Sequence, residues 1–192
     1  VCQNVTVTNM DIESCDYPFT LAYSEDSKLL ESSFTDNEEI SIYRCTNVTV
    51  ANTTFNDCIQ ALLMDHSDWV TLSNVTFTNN EIGIQANDCL NSTFHNCKFI
   101  SNNEGGFFGF ALGDTNFTNC NFTDNYEHSF IYHGIGEPVP ENSNCRLIDN
   151  VFTNNQESVI IDGATNWTLS GNTFNESSVG LLLEGLFNSS IT

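Results

Sequence analysis

Basic residues are almost absent: Lys28, Arg44, Lys98 and Arg146 face 25 acidic residues, for a formal charge of -21 at pH 7. A surface this acidic repels nucleic acid and anionic lipid, and it suits a salty medium or divalent cations. Long apolar runs are also missing, so no segment reads as a membrane span. Helical periodicity is essentially absent. None of the eight cysteines falls in a Cys-x-x-Cys pair, which disfavours zinc and favours disulfides in an oxidising compartment. The first residue is Val1, with no charged-then-apolar leader after it. The expectation is an extracellular product, on the cell surface or in an envelope or sheath, whose signal has been removed.

What is present is enough for a folded domain. Forty per cent of the 192 residues are hydrophobic and 15 are Phe, so the chain reads as a single domain, 1–192. Asn-x-Ser/Thr acceptors at Asn4, Asn47, Asn52, Asn74, Asn91, Asn116, Asn121, Asn166, Asn175 and Asn188 are glycosylation candidates, although an Asn- and Thr-rich sequence also generates them by chance.

The chain repeats itself. Cys2-Gln-Asn-Val-Thr-Val-Thr-Asn-Met-Asp-Ile-Glu-Ser-Cys15 matches Cys45-Thr-Asn-Val-Thr-Val-Ala-Asn-Thr-Thr-Phe-Asn-Asp-Cys58 at both cysteines and at Asn-Val-Thr-Val. Anchoring on the apolar residue three before the second cysteine gives the column Ile12, Phe34, Phe55, Phe77, Phe99, Phe122, Phe152 and Phe174, at intervals of 22, 21, 22, 22, 23, 30 and 22. The long interval predicts an inserted loop at about 126–144, where Gly134, Gly136, Pro138 and Pro140 cluster. Three residues after the anchor come Asn37, Asn80, Asn102, Asn125 and Asn155, with Cys15 and Cys58 in two other coils, which predicts an asparagine ladder. Val7, Val50, Leu72 and Leu169 form a second apolar column. Apolar residues alternate with Thr, Ser and Asn over three to five positions, the signature of short strands. The fold predicted is an all-β parallel solenoid of about eight coils of roughly 22 residues, about 40 Å long at sheet spacing.

Phe77-Thr-Asn-Asn-Glu-Ile-Gly-Ile84 and Phe152-Thr-Asn-Asn155 resemble the repeats of right-handed parallel β-helix, or pectin-lyase-like, proteins. The resemblance covers nearly the whole chain and implies the fold, but that superfamily includes lyases, hydrolases, tailspikes, adhesins and surface-layer proteins. Its lyases use an Arg base with Ca2+, and its hydrolases use several Asp with a His-Gly and a basic triplet. Here His133-Gly134 is the sole echo, which points away from an enzyme.

On the repeat, Cys97 and Cys120 occupy one column in successive coils and are the best-placed disulfide candidates. The recurrent separation of 13 suggests Cys2 with Cys15 and Cys45 with Cys58, while Cys89 and Cys145 are left for an irregular internal bond or one between molecules. No metal site or cofactor is predicted. His66 between Asp65 and Asp68, and His128 with His133, are incomplete corners, and Asp36, Glu38 and Glu39 could collect Ca2+ only with help from a neighbouring coil. Gly105-Gly106-Phe107-Phe108-Gly109-Phe110 reads as core packing with glycine at a bend rather than an exposed aromatic site.

Asn188-Ser-Ser-Ile-Thr192 falls in the register of Asn4-Val-Thr-Val-Thr8, so neither end reads as capped. The functional expectation is a self-assembling structural protein of a sheath or surface layer, partnered by copies of itself head to tail or laterally. In style it resembles the envelope and adhesin-like β-helix proteins of methanogenic archaea. The alternative is an adhesin or carbohydrate-binding stalk that uses an exposed aromatic face, with Tyr126, Phe130 and Tyr132 as candidates. A polysaccharide lyase or hydrolase ranks last.

Overall fold

A computed structural model describes residues 2–134 and 143–192. It is a parallel β-solenoid with three sheets, here A, B and C, of ten, eight and eight strands. One coil shows the plan: Thr46–Ala51 lies in sheet A, Thr54–Asn56 in sheet B and Gln60–Asp65 in sheet C. The chain then returns to sheet A at Thr71–Ser73, one coil up, with Leu72 over Val50 and Phe77 over Phe55. No helix occurs among the described residues.

The corners explain the composition. Most strands end where a single residue takes a left-handed backbone, φ between 46 and 59° for the non-glycine cases, and these residues stack in columns up the solenoid. Asn and Asp tolerate that conformation better than other side chains, because their short polar groups hydrogen-bond locally. Thus Asn9, Asn52, Asn74, Asn96 and Asn119 end sheet A strands, and Asp36, Asp57, Asn79, Asp124 and Asn154 end sheet B strands. Asn4, Asn47, Asn91, Asn144, Asn166 and Asn188 lead into sheet A. Outside the corners, these side chains also bond one another along the axis, as in Asn74 Nδ2 to Asn52 Oδ1 at 3.2 Å and Asn96 Nδ2 to Asn74 Oδ1 at 2.6 Å.

Inside, the predicted columns hold. Phe34, Phe55, Phe77, Phe99, Phe122, Phe152 and Phe174 form one continuous stack with centroids 4.5 to 5.2 Å apart and planes within 10°. The second apolar column runs through Leu29, Val50, Leu72, Phe94, Phe117, Leu147 and Leu169. The asparagine ladder is also present. Asn80, Asn102 and Asn125 each donate Nδ2 to Oδ1 of the Asn one coil up, at 3.0, 3.0 and 3.2 Å. The same Nδ2 groups donate to the carbonyls of Phe55, Phe77 and Phe99. A second ladder, not predicted, joins Asn150 to Asn172 at 3.0 Å.

Sheet C departs from simple alternation, because two consecutive residues near the start of its strands turn inward. The first must be small: Gly83 and Gly106 sit there, and a Cβ on Gly83 would lie 2.4 Å from the Gly106 carbonyl oxygen. Gly106 therefore serves a close approach of coils within a strand rather than a bend, an added Cβ there lying 2.7 Å from the Ser129 carbonyl oxygen, whereas one on Gly105 or Gly109 would meet the side chains of Phe108 or Leu112; Phe107 is buried as expected. The regular register continues through the strand His128–His133, which pairs with Gly105–Phe110 below and Glu157–Thr165 above. The part of the predicted 126–144 loop up to His133 thus belongs to the regular coil. Gly136, Pro138 and Pro140 lie outside the described residues.

Candidate functional site

The cysteines are present as thiols in the structure, and their positions bear differently on each expected pair. Cys45 and Cys58 stand at opposite ends of sheet C, separated by the length of a strand, about 20 Å at the usual rise, and Cys2 with Cys15 repeats the arrangement. The 13-residue separation measured chain length around sheets A and B, not distance. Cys89 and Cys145 are fully buried in different columns, which leaves neither sulfur accessible to a second molecule.

Cys97 and Cys120 do meet. The hydrogen bond between their sulfurs, reinforced by burial, holds the Cys97 thiol protonated. Burial likewise pushes Cys89 and Cys145 up to about 12. These cysteines act as corner donors. Sγ of Cys58, Cys97 and Cys120 points at the carbonyls of Phe34, Leu72 and Phe94, the same geometry by which Asn80 Nδ2 reaches Phe55.

The histidine corners bind their own carboxylates. His66 lies 3.1 Å from Asp65 and 3.6 Å from Asp88 rather than beside Asp68, whose carboxylate accepts the Leu90 N–H. His128 pairs with Glu157 at 2.7 Å and His133 with Asp162 at 3.7 Å. Asp36 accepts a hydrogen bond from Ser14, and among the described residues no three His, Cys, Asp or Glu side chains converge as a metal site. Phe130 and Tyr132 point into the core and are fully buried, so of the three aromatic candidates only Tyr126 is exposed. Seven of the glycosylation candidates, Asn4, Asn47, Asn52, Asn74, Asn91, Asn166 and Asn188, occupy left-handed corners. The left-handed backbone therefore favours an Asn there whether or not a glycan is attached. Asn116, Asn121 and Asn175 lie on strands.

A concave feature that could hold a ligand is a groove of about 610 Å³ along the leading edge of sheet A. One wall is the corner column Asn47, Trp69, Asn91, Asp114, Asn144 and Asn166; the other is the strand column Thr71, Thr93, Asn116, Arg146 and Thr168. It crosses six coils, about 24 Å at strand spacing. Asn144 Nδ2 donates to Asp114 at 3.1 Å, which ties up the one carboxylate of the lining. Trp69 is 56% exposed. Amides, hydroxyls, one indole and one guanidinium make a surface that hydrogen-bonds neutral polyols and stacks on ring faces. Sequence reasoning missed this groove. One signal was available: Trp69-Val-Thr-Leu72 puts tryptophan where Asn47-Val-Thr-Val50 has asparagine.

A family model described as the right handed beta helix region matches residues 2–139 and 82–192. Among solved structures, the Streptococcus pneumoniae surface protein and adhesin PfbA superposes with a TM-score of 0.60 at 12% identity, covering 99% of this chain and 67% of that one. The A-module of the Azotobacter vinelandii mannuronan C-5 epimerase AlgE6 superposes with a TM-score of 0.53 at 11% identity, over 99% of this chain and 57% of its own. At such identities the likeness is one of fold. No curated protein matches the chain.

Proposed function

Since the chain belongs to the right-handed β-helix family, whose shared scaffold leaves chemistry to the surface, we propose that it is an extracellular surface protein that binds extended glycans along the sheet A groove. The observation that carries this reading is the groove: neutral, six coils long, and flanked by an exposed tryptophan. An adhesive role fits better than turnover. Glycoside hydrolysis uses a pair of carboxylates across the scissile bond, whereas Asp114 is the single acid in the lining and is held by Asn144.

The adhesin named among the structural neighbours is a precedent for such a surface. Probing an array of immobilised oligosaccharides with the intact chain should give binding that falls at least tenfold in Thr93→Trp, which fills the middle of the groove. Binding indifferent to that substitution would place the site elsewhere, and hydrolysis products accumulating on the array would reinstate an enzyme.

A second reading, self-assembly into an envelope layer, rests on sheet C, where the half-buried Phe108 and Ile160 and the exposed Leu182 share one apolar column with the buried Ile131. Sedimentation over a hundredfold concentration range should show association that Ile160→Lys abolishes. A monomer throughout would remove this reading.

A further inference from the structure

Resting on the groove as a glycan site, we infer that it selects a neutral glycan with a sparse acidic substituent, one sugar ring stacking on Trp69 and the acid meeting Arg146.

Trp69 has a φ of 58°, in the left-handed region, yet its neighbours in the column are Asn47 below and Asn91 above. A bulky aromatic residue is an outlier in this conformation, so backbone preference does not explain it. Packing does not explain it either. The side chain is 56% exposed, and no aromatic partner stacks on it among the described residues. Its backbone N–H donates to the Leu90 carbonyl at 2.9 Å, which holds the corner in register and leaves the indole as the apolar member of an otherwise polar groove lining. A strained, exposed aromatic residue at the edge of a cleft is explained by what it contacts there.

Arg146 is the one cation of the groove lining. It stands in a strand column between Asn116 and Thr168, and like the other Lys and Arg side chains it forms no ion pair among the described residues. By contrast Arg44 lies over the Tyr43 ring. In a chain with four basic residues against 25 acids, an exposed guanidinium in the groove, with no ion pair among the described residues, is matched to a carboxylate, sulfate or phosphate on the ligand.

The spacing sets the ligand's form. From the Trp69 coil to the Arg146 coil is three strand steps, about 14 Å. Between them Asn91, Thr93 and Asn116 offer neutral partners, and Asp114 repels a further anion. A polyanion is therefore excluded, by one cation in the groove and by a net charge of -21 around it.

The test uses an array of neutral, singly acidic (one uronate, sialate or sulfate) and polyuronate oligosaccharides. It is probed with the intact chain made in a host without N-glycosylation, because Trp69→Asn creates a new acceptor. Trp69→Asn installs the residue the column prefers, so the variant should melt no lower than the parent while losing at least tenfold in binding. Arg146→Gln should bring singly acidic members down to the level of their neutral counterparts, and Lys98→Gln, the same charge change on sheet B, should do neither. Glycans lost on Thr93→Trp but unaffected by Trp69→Asn and Arg146→Gln would overturn this inference and leave the groove reading standing, as would a preference for polyuronate. An array with no bound member would remove both.

Discussion

Asn102→Leu is expected to lower unfolding free energy by about 2–6 kcal/mol, although leucine fits the shape, because it strands two buried polar groups at about 1–3 kcal/mol each. Asn102 is fully buried. Its Oδ1 accepts from the Asn80 backbone N–H at 3.2 Å and from Asn80 Nδ2 at 3.0 Å, and its Nδ2 donates to the Phe77 carbonyl at 3.3 Å. Asn80 Nδ2 keeps the Phe55 carbonyl, and Asn125 Oδ1 keeps the Asn102 backbone N–H. The Asn80 N–H and the Phe77 carbonyl are left without those partners. Asn102→Cys should lose less, because Cys58 serves in this column with its sulfur directed at the Phe34 carbonyl. Urea unfolding of the two variants measures the difference. Equal losses would mean that side-chain volume, not hydrogen bonding, sets the requirement at this corner.

The ladder was legible in the sequence because it obeys the 22-residue rhythm with one residue type. The Phe column was legible for the same reason. The left-handed corners were harder to read. Their columns admit Tyr23, Glu31, Arg44 and His66 beside the Asn and Asp majority, and backbone conformation leaves no periodic hydrophobic mark. The cysteines recur on the repeat as paired ones would, and the fold brings Cys97 and Cys120 together while setting Cys45 and Cys58 a strand length apart. In the fold that recurrence reflects a small buried donor at a corner, a position that Ser67 fills equally well by bonding the Ile42 carbonyl. Phe130 and Tyr132 were placed on the wrong face because strict alternation fails in sheet C, where the consecutive residues Ser129, Phe130, Ile131 and Tyr132 are all buried. The groove was illegible as a motif. It draws one residue per coil from two columns, so its members are some 22 residues apart and become neighbours only once the coils stack.

Phe99→Ala should be the most damaging substitution in the stack, lowering stability by about 3–5 kcal/mol, while Ile100→Ala in the same strand should stay within about 1 kcal/mol. The two residues are consecutive but face opposite ways: Phe99 is fully buried and Ile100 half-buried on the outer face of sheet B. Phe99 lies between Phe77 at 5.1 Å and Phe122 at 4.5 Å, both nearly parallel to it. Removing the ring opens a cavity that those neighbours are poorly placed to fill, since the backbone ladders Phe77 to Phe99 and Phe99 to Phe122 fix the coil spacing. The floor of the cavity is equally rigid. It contains Gly106, where an added Cβ would sit 2.7 Å from the Ser129 carbonyl oxygen, so a second-site Gly106→Ala cannot fill the space without displacing backbone. Calorimetric or urea unfolding should therefore find Phe99→Ala severe, Phe99→Leu roughly half as severe, and the double variant Phe99→Ala with Gly106→Ala no better than Phe99→Ala alone. Rescue by Gly106→Ala would show that the coils can move apart, and that the stacked rings, rather than the hydrogen-bonded ladders, set the rise of the solenoid.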